Sequence, residues 1–339
     1  MKQIALSRLG RRPRLIALIA LVLLAGGLTT AYVNYRLGLQ PAGSATVKRA
    51  VTISAGQSAP QIADALQAAG LIRDRNAFIS YVNFNGLRAK LKTGTYEFSP
   101  SQSAAQIAQA IAGGKTITRR VVVPEGYTLS DIKKVAAAAG LNTAELSVAL
   151  AENHTQSFLA GIPAGISLEG YLFPDSYEIS PATTASQLVN TMLDTFGQKV
   201  AGVYAGAFAA QGLSLHQGLT LASIVEKEVN IAADRPVVAQ IFLKRYKSGQ
   251  SLGSDVTAEY ASKLLGLKGL DINANSPYNT RRFAGLPPGP ICSPGLSALD
   301  AVAKPATTDY LYFLSGKDGK TYFAKTYAEH QANIVKYLQ

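Results

Sequence analysis

The sequence is poor in the side chains that bind metal ions or form covalent cross-links. Cys292 is the only cysteine among the 339 residues, which excludes an intrachain disulfide and a site built from paired thiolates. The three histidines, His154, His216 and His330, are far apart, and no H-E-x-x-H pair occurs. We therefore expect no metal site and no cofactor in this chain.

Two further motifs of enzyme chemistry are absent. No G-x-S-x-G string occurs, which makes a serine hydrolase a distant alternative. Gly114, Lys115 and Thr116 match the end of the phosphate loop G-x-x-x-x-G-K-[ST], but Gln109 stands where that motif needs its first glycine. We expect glycine to end a helix here instead.

Charged residues are scarce at 16%, against 47% hydrophobic residues, a composition typical of a folded chain. The formal net charge is +12, and five basic residues lie within the first fourteen, which contain no acid. The remaining 28 basic and 21 acidic residues leave +7 without a dense Lys/Arg stripe, so we expect no nucleic-acid partner. An anionic surface, such as a cell wall or lipid headgroups, would attract a protein with this positive charge.

A long apolar stretch near the N-terminus predicts a membrane anchor. Residues 15–33 are uncharged and just long enough to cross a bilayer as a helix. The preceding basic cluster predicts a cytoplasmic tail (1–14), a single transmembrane helix (15–35) and an exported body, as in a bacterial inner-membrane protein. A cleaved signal peptide, ending near Thr30 and Ala31, is the alternative and also exports the body. Residues 36–50 are predicted to be a polar linker.

A strand followed by a capped helix recurs along the chain. The copies are residues 51–71, 96–114 and 121–141. The expected N-caps are Ser58, Ser103 and Thr128. We expect the first two copies, with a helix over 76–85 between them, to pack as one module at 51–120. This module resembles LysM-like glycan-binding repeats, and a spacer with its own core is the alternative.

Residues 219–229, LTLASIVEKEV, predict an amphipathic helix. Glu228 projects into its apolar arc, and Glu226 lies roughly 160° away at the margin of that arc. Ser223 and Lys227 are expected on the opposite, solvated side. A carboxyl group in an apolar stripe is costly unless it is partnered or protonated, which makes Glu228 a candidate catalytic acid. A solvated E-K-E face is the alternative.

Residues 165–180 place aromatic side chains beside two acids. Glu169 is expected on a turn or short strand, because the glycines and proline around it prevent a long helix. Tyr171, with Phe173 and Tyr177, surrounds Glu169 and Asp175. This arrangement suits a sugar, whose C–H faces stack on aromatic rings. A β-hairpin core with capping acids is the alternative.

Two later stretches supply further candidates. Asp255 precedes a helix and is expected either to cap it or to orient a ligand hydroxyl. The proline-rich residues 276–295 favour a stiff cleft wall, and we take Asn279 and Thr280 within it as possible substrate-binding residues. A hairpin around residues 317–319 and a final helix over 327–338 are predicted to close the chain.

Six strings occur in a fixed order: LEGYLFPDSY, ASIVEKEV, FLKRY, LGSDVTAEY, SPYNTRRFAGLPPGPICSPG and YLYFLSGKDGKTYFAKT. Together they resemble the YceG-like endolytic murein transglycosylases of bacteria, over residues 121–339. The resemblance implies an α+β fold: a single N-terminal transmembrane helix, a small LysM-like βα module and a larger mixed α/β catalytic domain at 121–339. The sequence departs from many relatives at Thr321-Tyr322-Phe323, where they have a histidine before x-Phe.

The resemblance also implies the chemistry. Glu228, the second glutamate of A-S-I-[IV]-E-K-E, is the implied catalytic residue, and Glu226 and Glu169 match positions expected to line the cleft. The implied reaction cleaves the MurNAc–GlcNAc bond within peptidoglycan glycan strands without water, forms 1,6-anhydro ends and terminates nascent strands. Candidate protein partners are peptidoglycan synthases or divisome proteins. A hydrolytic muramidase and a non-catalytic, membrane-anchored glycan-binding scaffold remain open alternatives.

Overall fold

The computed structural model describes residues 12–338, which form two compact units. One unit runs to Thr118 and includes residues 180–182, and the other comprises residues 119–179 and 183–338. The basic tail predicted at 1–14 lies outside the described residues, apart from the backbone of 12–14.

The first helix, α1 (Arg12–Gly38), is the apolar segment predicted from the sequence. Its stretch Leu15–Gly38 has a mean hydropathy of 2.2, and no residue in its apolar 18-residue window is buried, although Gly38 at its end is. At about 1.5 Å per residue, these 24 residues exceed the roughly 30 Å of a bilayer core. The helix thus has the length and composition that a membrane anchor needs, and a signal sequence meets the same criteria.

The rest of the first unit is a two-stranded sheet covered by three helices. Its elements are β1 (Arg49–Ile53), α2 (Ala59–Ala68), α3 (Arg75–Phe84), β2 (Gly94–Phe98) and α4 (Ala104–Gly113). The strands are antiparallel with Val51 opposite Tyr96, and Leu66, Phe78 and Ile107 are fully buried beneath them. The predictions of a helix over 76–85 and of joint packing by the first two strand–helix copies are confirmed.

Part of the predicted linker is held against this first unit. Leu39 packs on its core and accepts a hydrogen bond from the Ala104 N–H (3.1 Å), while the Gly43 N–H donates to the carbonyl of Pro100 (3.0 Å). Residues 39–43 therefore belong to the folded unit. Of the predicted linker, only residues 44–48 lie between this segment and β1 without helix or strand.

The second unit contains eight regular α-helices and two antiparallel strand pairs among its described residues, together with a short helix, α6, near its start. The elements are β3 (Arg119–Val122), α5 (Leu129–Ala138), α6 (Thr143–Ala149), β4 (Ser176–Ile179), α7 (Ala185–Phe196), α8 (Gly202–Ala210), α9 (Leu215–Glu228), α10 (Arg235–Lys247), α11 (Asp255–Leu264), α12 (Leu296–Ala303), β5 (Tyr312–Ser315), β6 (Thr321–Ala324) and α13 (Tyr327–Tyr337). Strand β3 pairs with β4, and β5 pairs with β6 as the predicted hairpin. The predicted final helix is α13.

Ser58, Ser103 and Thr128 are the N-caps of α2, α4 and α5, as predicted, and the last two use their side chains as acceptors. Ser103 Oγ accepts from the Gln106 N–H (3.2 Å) and Thr128 Oγ1 accepts from the Asp131 N–H (3.3 Å). In both cases the side chain of the third helical residue returns a bond to the cap N–H, which completes a capping box. The stability of these helix starts therefore comes from local sequence, as the recurring pattern indicates.

Helix α9 lies at the centre of the second unit, packed by α8, α10, α11 and α12. It begins four residues before the predicted start because Ser214 forms a capping box with Gln217. The expectation of a solvated side at Ser223 is wrong: Ser223 is fully buried, donates to the Thr220 carbonyl (2.7 Å) and accepts from the Ile291 N–H (3.0 Å). Helices cover α9 on more than one side, so polar residues within it do not mark a solvated face.

Candidate active site

Glu228 is the last residue of α9, and its carboxyl group lies at the N-terminus of α11. Ser254 Oγ donates to Glu228 Oε1 (2.5 Å), and the backbone N–H of Val256 also donates to this carboxyl group. The side chain is neither fully buried nor open to solvent. One carboxyl group is thus held by the end of one helix against the beginning of another.

Burial raises the pKa of Glu228 above the ordinary glutamate value, and the negative charge of Asp255 adds to this effect. The hydrogen bond from Ser254, the positive charge of Arg245 and the Val256 N–H oppose the rise because they favour the ionised form. The net direction is upward. Glu228 therefore retains a proton at a higher pH than a solvated glutamate does, as a general acid needs.

A cavity of about 570 Å³ opens beside Glu228, within the roughly 300–1,000 Å³ typical of ligand sites. Its polar side is formed by Glu228, Arg245, Ser254, Asp255 and Arg281. Its apolar side comes from α10, β5 and one face of α13. Acidic, basic and apolar groups thus surround one space, which suits a ligand with hydroxyl groups and C–H faces.

The loop before α11 determines where Ser254 lies. Gly253 has φ +66°, a left-handed conformation that glycine adopts without strain, and its N–H donates to the carbonyl of Thr280 (3.0 Å). Thr280 Oγ1 accepts from the Ser254 N–H (3.2 Å), and the Thr280 N–H donates to Thr257 Oγ1 (3.1 Å). Thr280 therefore holds the loop before α11 in place through hydrogen bonds to Gly253, Ser254 and Thr257.

Asn279 and Thr280 were expected to contact substrate, and the structure places both out of reach. They are 0% and 1% exposed. Asn279 Nδ2 donates to the carbonyls of Ile272 (2.9 Å) and Ala274 (3.0 Å), which fixes the preceding loop. Both side chains form hydrogen bonds with backbone groups inside the protein. They therefore stabilise the cavity wall and do not line the cavity.

Asp255 lines the cavity, but its predicted role as a helix cap is wrong by one position. Ser254 is the N-cap of α11 and Asp255 is the first residue inside the helix, where an acid is favoured by the helix dipole. Its side chain is 59% exposed and forms an ion pair with Arg281. Asp255 thus remains available to a ligand at the rim of the cavity.

Glu226 lies in the protein interior. It forms an ion pair with Arg235 (2.8 Å), with both side chains under 10% exposed, and it accepts from the Gly295 N–H (3.0 Å). The carboxyl group of Glu226 is therefore paired and hydrogen-bonded inside the protein. The expectation that Glu226 lines the cleft is wrong, because its carboxylate points into this interior pair.

Glu169 belongs to a different cavity, of about 510 Å³, beside the start of α5. Its Oε1 accepts from the Leu129 N–H (2.9 Å) and its Oε2 from the Tyr260 hydroxyl (3.2 Å). Burial raises the pKa of Glu169 to about 7. Glu169 and Glu228 line separate cavities, so the structure does not bring them together as a pair of catalytic carboxyl groups.

The aromatic side chains expected to stack on a sugar are in the core. Tyr171 is 1% exposed, its hydroxyl meets His216 Nδ1 at 2.8 Å, and its ring lies 5.1 Å from that of Phe196. Phe173 and Tyr177 are also buried, and Tyr177 lies within β4, opposite Val121 of β3. The aromatic side chains thus fill a core, as the alternative holds, but its hairpin does not form, because β4 pairs with β3, which precedes α5 and α6 in the chain.

Asp175 lies at the surface of the second unit, away from the cavity beside Glu228. It forms an ion pair with Lys199 (2.7 Å), which lowers the pKa of Asp175. An acid held in this state stays ionised and does not supply a proton at neutral pH.

Four polar residues from the six strings line the cavity but were not among the sequence candidates: Ser254, Arg245, Arg281 and Ser315. Each lies within one of the six strings that resemble the YceG-like type, so their position in those strings was an available signal. The face of α13 with His330 and Ile334 also lines the cavity, and no local pattern places a C-terminal helix there. No cluster of three or more potential metal ligands occurs within residues 12–338.

Comparisons with known proteins identify the family. The model of the YceG-like family matches residues 51–336. Proteins named endolytic murein transglycosylase are similar to this chain: one from Bacillus subtilis (strain 168) is 31% identical over 307 residues, which cover 85% of this chain and 84% of the relative. One from Streptococcus pneumoniae (strain ATCC BAA-255 / R6) is 29% identical over 321 residues, covering 85% of this chain.

The chain spans 58% of the length of the streptococcal relative. A crystal structure of a yceG-like protein from Listeria monocytogenes has a TM-score of 0.56 to this chain at 33% sequence identity. The match covers 85% of this chain and 99% of that structure. The chain belongs to the YceG-like family.

Proposed function

We propose that this protein is an endolytic murein transglycosylase that cleaves the MurNAc–GlcNAc bond within peptidoglycan strands and leaves 1,6-anhydro-MurNAc ends. The observation that supports this most strongly is a single carboxyl group, Glu228, that is desolvated, has a raised pKa and opens into a ligand-sized cavity. The relatives named endolytic murein transglycosylase support the same activity.

The first step is protonation of the leaving group. Glu228 donates its proton to the glycosidic oxygen, the bond from this oxygen to the muramyl C1 breaks, and positive charge develops at C1. The GlcNAc side departs with a hydroxyl group. Ser254 and the Val256 N–H stabilise the carboxylate that remains, and Arg245 contributes a nearby positive charge.

The second step closes the ring. The Glu228 carboxylate takes the proton of the muramyl 6-hydroxyl, and O6 bonds to C1, which regenerates the protonated acid and consumes no water. One residue can serve in both directions when its pKa lies near the working pH. Glu228 ends α9 and its carboxyl group is hydrogen-bonded at the start of α11, so the same position serves both proton transfers.

A hydrolytic muramidase is the second candidate, and Asp255 is the observation that favours it. Ordinary glycosidases need a second carboxylate to act as nucleophile or to activate water. Asp255 lines the same cavity and is more than half exposed. Its ion pair with Arg281 holds it at the rim, which favours the single-acid reaction over hydrolysis.

The remaining assignments are part of the same proposal. We propose that α1 anchors the protein as a single-pass helix in the bacterial inner membrane, with residues 1–14 cytoplasmic and the catalytic unit extracytoplasmic. The module at 51–120 binds glycan in a LysM-like manner, and residues 121–339 cleave it. Cleavage terminates strand elongation beside peptidoglycan synthases or divisome proteins.

The mass of the products tests the reaction. Purified glycan strands digested in ¹⁸O-enriched water should yield ends that are one water lighter than reducing ends and contain no label. Labelled reducing ends would identify a hydrolase. The absence of any cleavage by a folded protein would support a non-catalytic scaffold.

A further inference from the structure

The cavity beside Glu228 contains a guanidinium group, that of Arg245, which belongs to no ion pair in the described part of the chain. Arg245 Nη1 donates to the Leu252 carbonyl (2.6 Å) and Nη2 donates to the Leu311 carbonyl (2.8 Å). These bonds use two of the five N–H groups of the guanidinium. No ion pair among residues 12–338 includes Arg245.

The other charges of the cavity do not compensate Arg245. Arg281 and Asp255 form a pair of their own. His330 also lines the cavity, and burial together with the charge of Arg245 lowers its pKa, so this imidazole is neutral at pH 7. When Glu228 holds the proton that catalysis requires, it is neutral too. The loaded cavity then has one net positive charge, at Arg245.

An uncompensated cation at a part-buried position costs free energy, which a bound anion can offset. A guanidinium presents parallel N–H groups that match the two oxygens of a carboxylate. We infer that Arg245, with Arg281 at the rim, forms a subsite for a carboxylate group of the glycan substrate. This inference rests on the proposed function and adds a recognition element to it.

Binding of such a carboxylate would also affect the acid. A negative charge close to Glu228 disfavours ionisation of Glu228, so the bound substrate itself helps to keep the catalytic proton in place. Two sources of a carboxylate exist on peptidoglycan. One is the lactyl group of muramic acid in strands without peptides, and the other is the stem peptide in strands that have them.

The test compares intact strands with the same strands after carbodiimide coupling to methylamine, which converts each carboxylate into a neutral amide. Peptide-free and peptide-bearing strands are both used, with the full chain in detergent. For the wild type we expect amidation to raise KM about tenfold on at least one type of strand, the loss typical of a charged hydrogen bond. An effect on peptide-free strands identifies the lactyl group, and an effect on peptide-bearing strands alone identifies the stem.

Variants separate recognition from structure. Arg245→Gln should cleave intact strands with the KM of amidated strands, and Arg245→Lys should recover part of the preference. Loss of the positive charge beside Glu228 should lower kcat on both substrates equally, so the ratio of KM values between amidated and intact strands is the measure of the subsite. Arg281→Gln, at an exposed position, should reduce the preference without loss of folding. The matched control is Arg282→Gln, because Arg282 is exposed and lies outside the cavity wall; it should behave as the wild type.

Equal KM values for intact and amidated strands of both types would overturn the inference while leaving the proposed function intact. If the wild type forms no anhydro ends from any strand, the proposed function fails separately. Binding of intact and amidated strands to Glu228→Gln then decides the carboxylate subsite, since equal affinity overturns it and weaker binding of the amidated strands supports it.

Discussion

The pKa of Glu169 makes the stability of the second unit dependent on pH. Glu169 is 4% exposed, and burial raises its pKa from the ordinary 4.5 to about 7. In the unfolded chain this carboxyl group is solvated and returns to its ordinary pKa. The folded state therefore binds a proton that the unfolded state releases over the interval between the two values.

The sign follows from the raised folded pKa. The contribution of Glu169 to stability is complete below about pH 4.5 and is lost as the pH rises through about 7. A shift of this size corresponds to roughly 3 kcal/mol, because each pKa unit is worth about 1.4 kcal/mol. Most of the loss falls between about pH 5 and about pH 8.

Glu169→Gln should remove this pH dependence. The amide keeps an acceptor for the Leu129 N–H and presents a donor to the Tyr260 oxygen, so the shape of the site is retained. Relative to the wild type, the variant should gain about 2 to 3 kcal/mol in free energy of unfolding as the pH is raised from about 5 to about 8.

Urea unfolding of the full chain in detergent, followed by circular dichroism at a series of pH values, measures this difference. The matched control is Glu178→Gln on the exposed side of β4, which should follow the wild type at every pH. If Glu169→Gln and the wild type differ by the same amount at pH 5 and pH 8, the reasoning from burial is refuted.

Three further predictions concern the core and the proposed catalytic carboxyl group of Glu228. Arg235→Met leaves Glu226 buried without its partner and should cost about 3 to 5 kcal/mol in urea unfolding, much of it recovered in the double variant with Glu226→Gln. Gly170→Ala should cost at least about 1 to 2 kcal/mol by the same measurement, since Gly170 has φ +83° and a Cβ would approach Pro290 Cβ to 2.5 Å. Ser254→Ala removes a hydrogen bond that lowers the pKa of Glu228, the proposed acid, so the alkaline limb of the pH–kcat/KM profile should move to higher pH; a shift to lower pH would contradict this assignment.

Local patterns predicted much of the fold because they act over a few residues. The helix starts at Ser103 and Thr128 follow from capping boxes, and the final hairpin follows from its turn. The apolar arc that contains Glu228 also identified the residue whose carboxyl group lines the cavity. In these cases the residues that interact are only a few positions apart in the sequence.

The remaining features depend on contacts between distant parts of the chain. Glu226 is buried because Arg235 and the Gly295 N–H meet it there, and the helical period alone does not show either partner. Tyr171 faces the core, where its hydroxyl group forms a hydrogen bond with His216, 45 positions later in the chain. Composition cannot distinguish an aromatic cluster that stacks on a ligand from one that fills a core.

The assembly of the cavity has the same origin. Ser254 meets Glu228 across 26 residues, and Thr280 holds Ser254 across another 26. Motifs in a fixed order indicate that these residues act together, whereas only coordinates show which of them contacts the acid and which supports it.

The most direct measurement is the rate at which Glu228→Gln releases anhydro ends from purified glycan strands, with Glu178→Gln as a control and circular dichroism to verify folding. Loss of the acid should lower the rate at least about 100-fold, the lower end of a general acid–base contribution. The control should match the wild type. Release of anhydro ends by folded Glu228→Gln at the rate of the wild type would contradict the assignment of Glu228 as the proton donor.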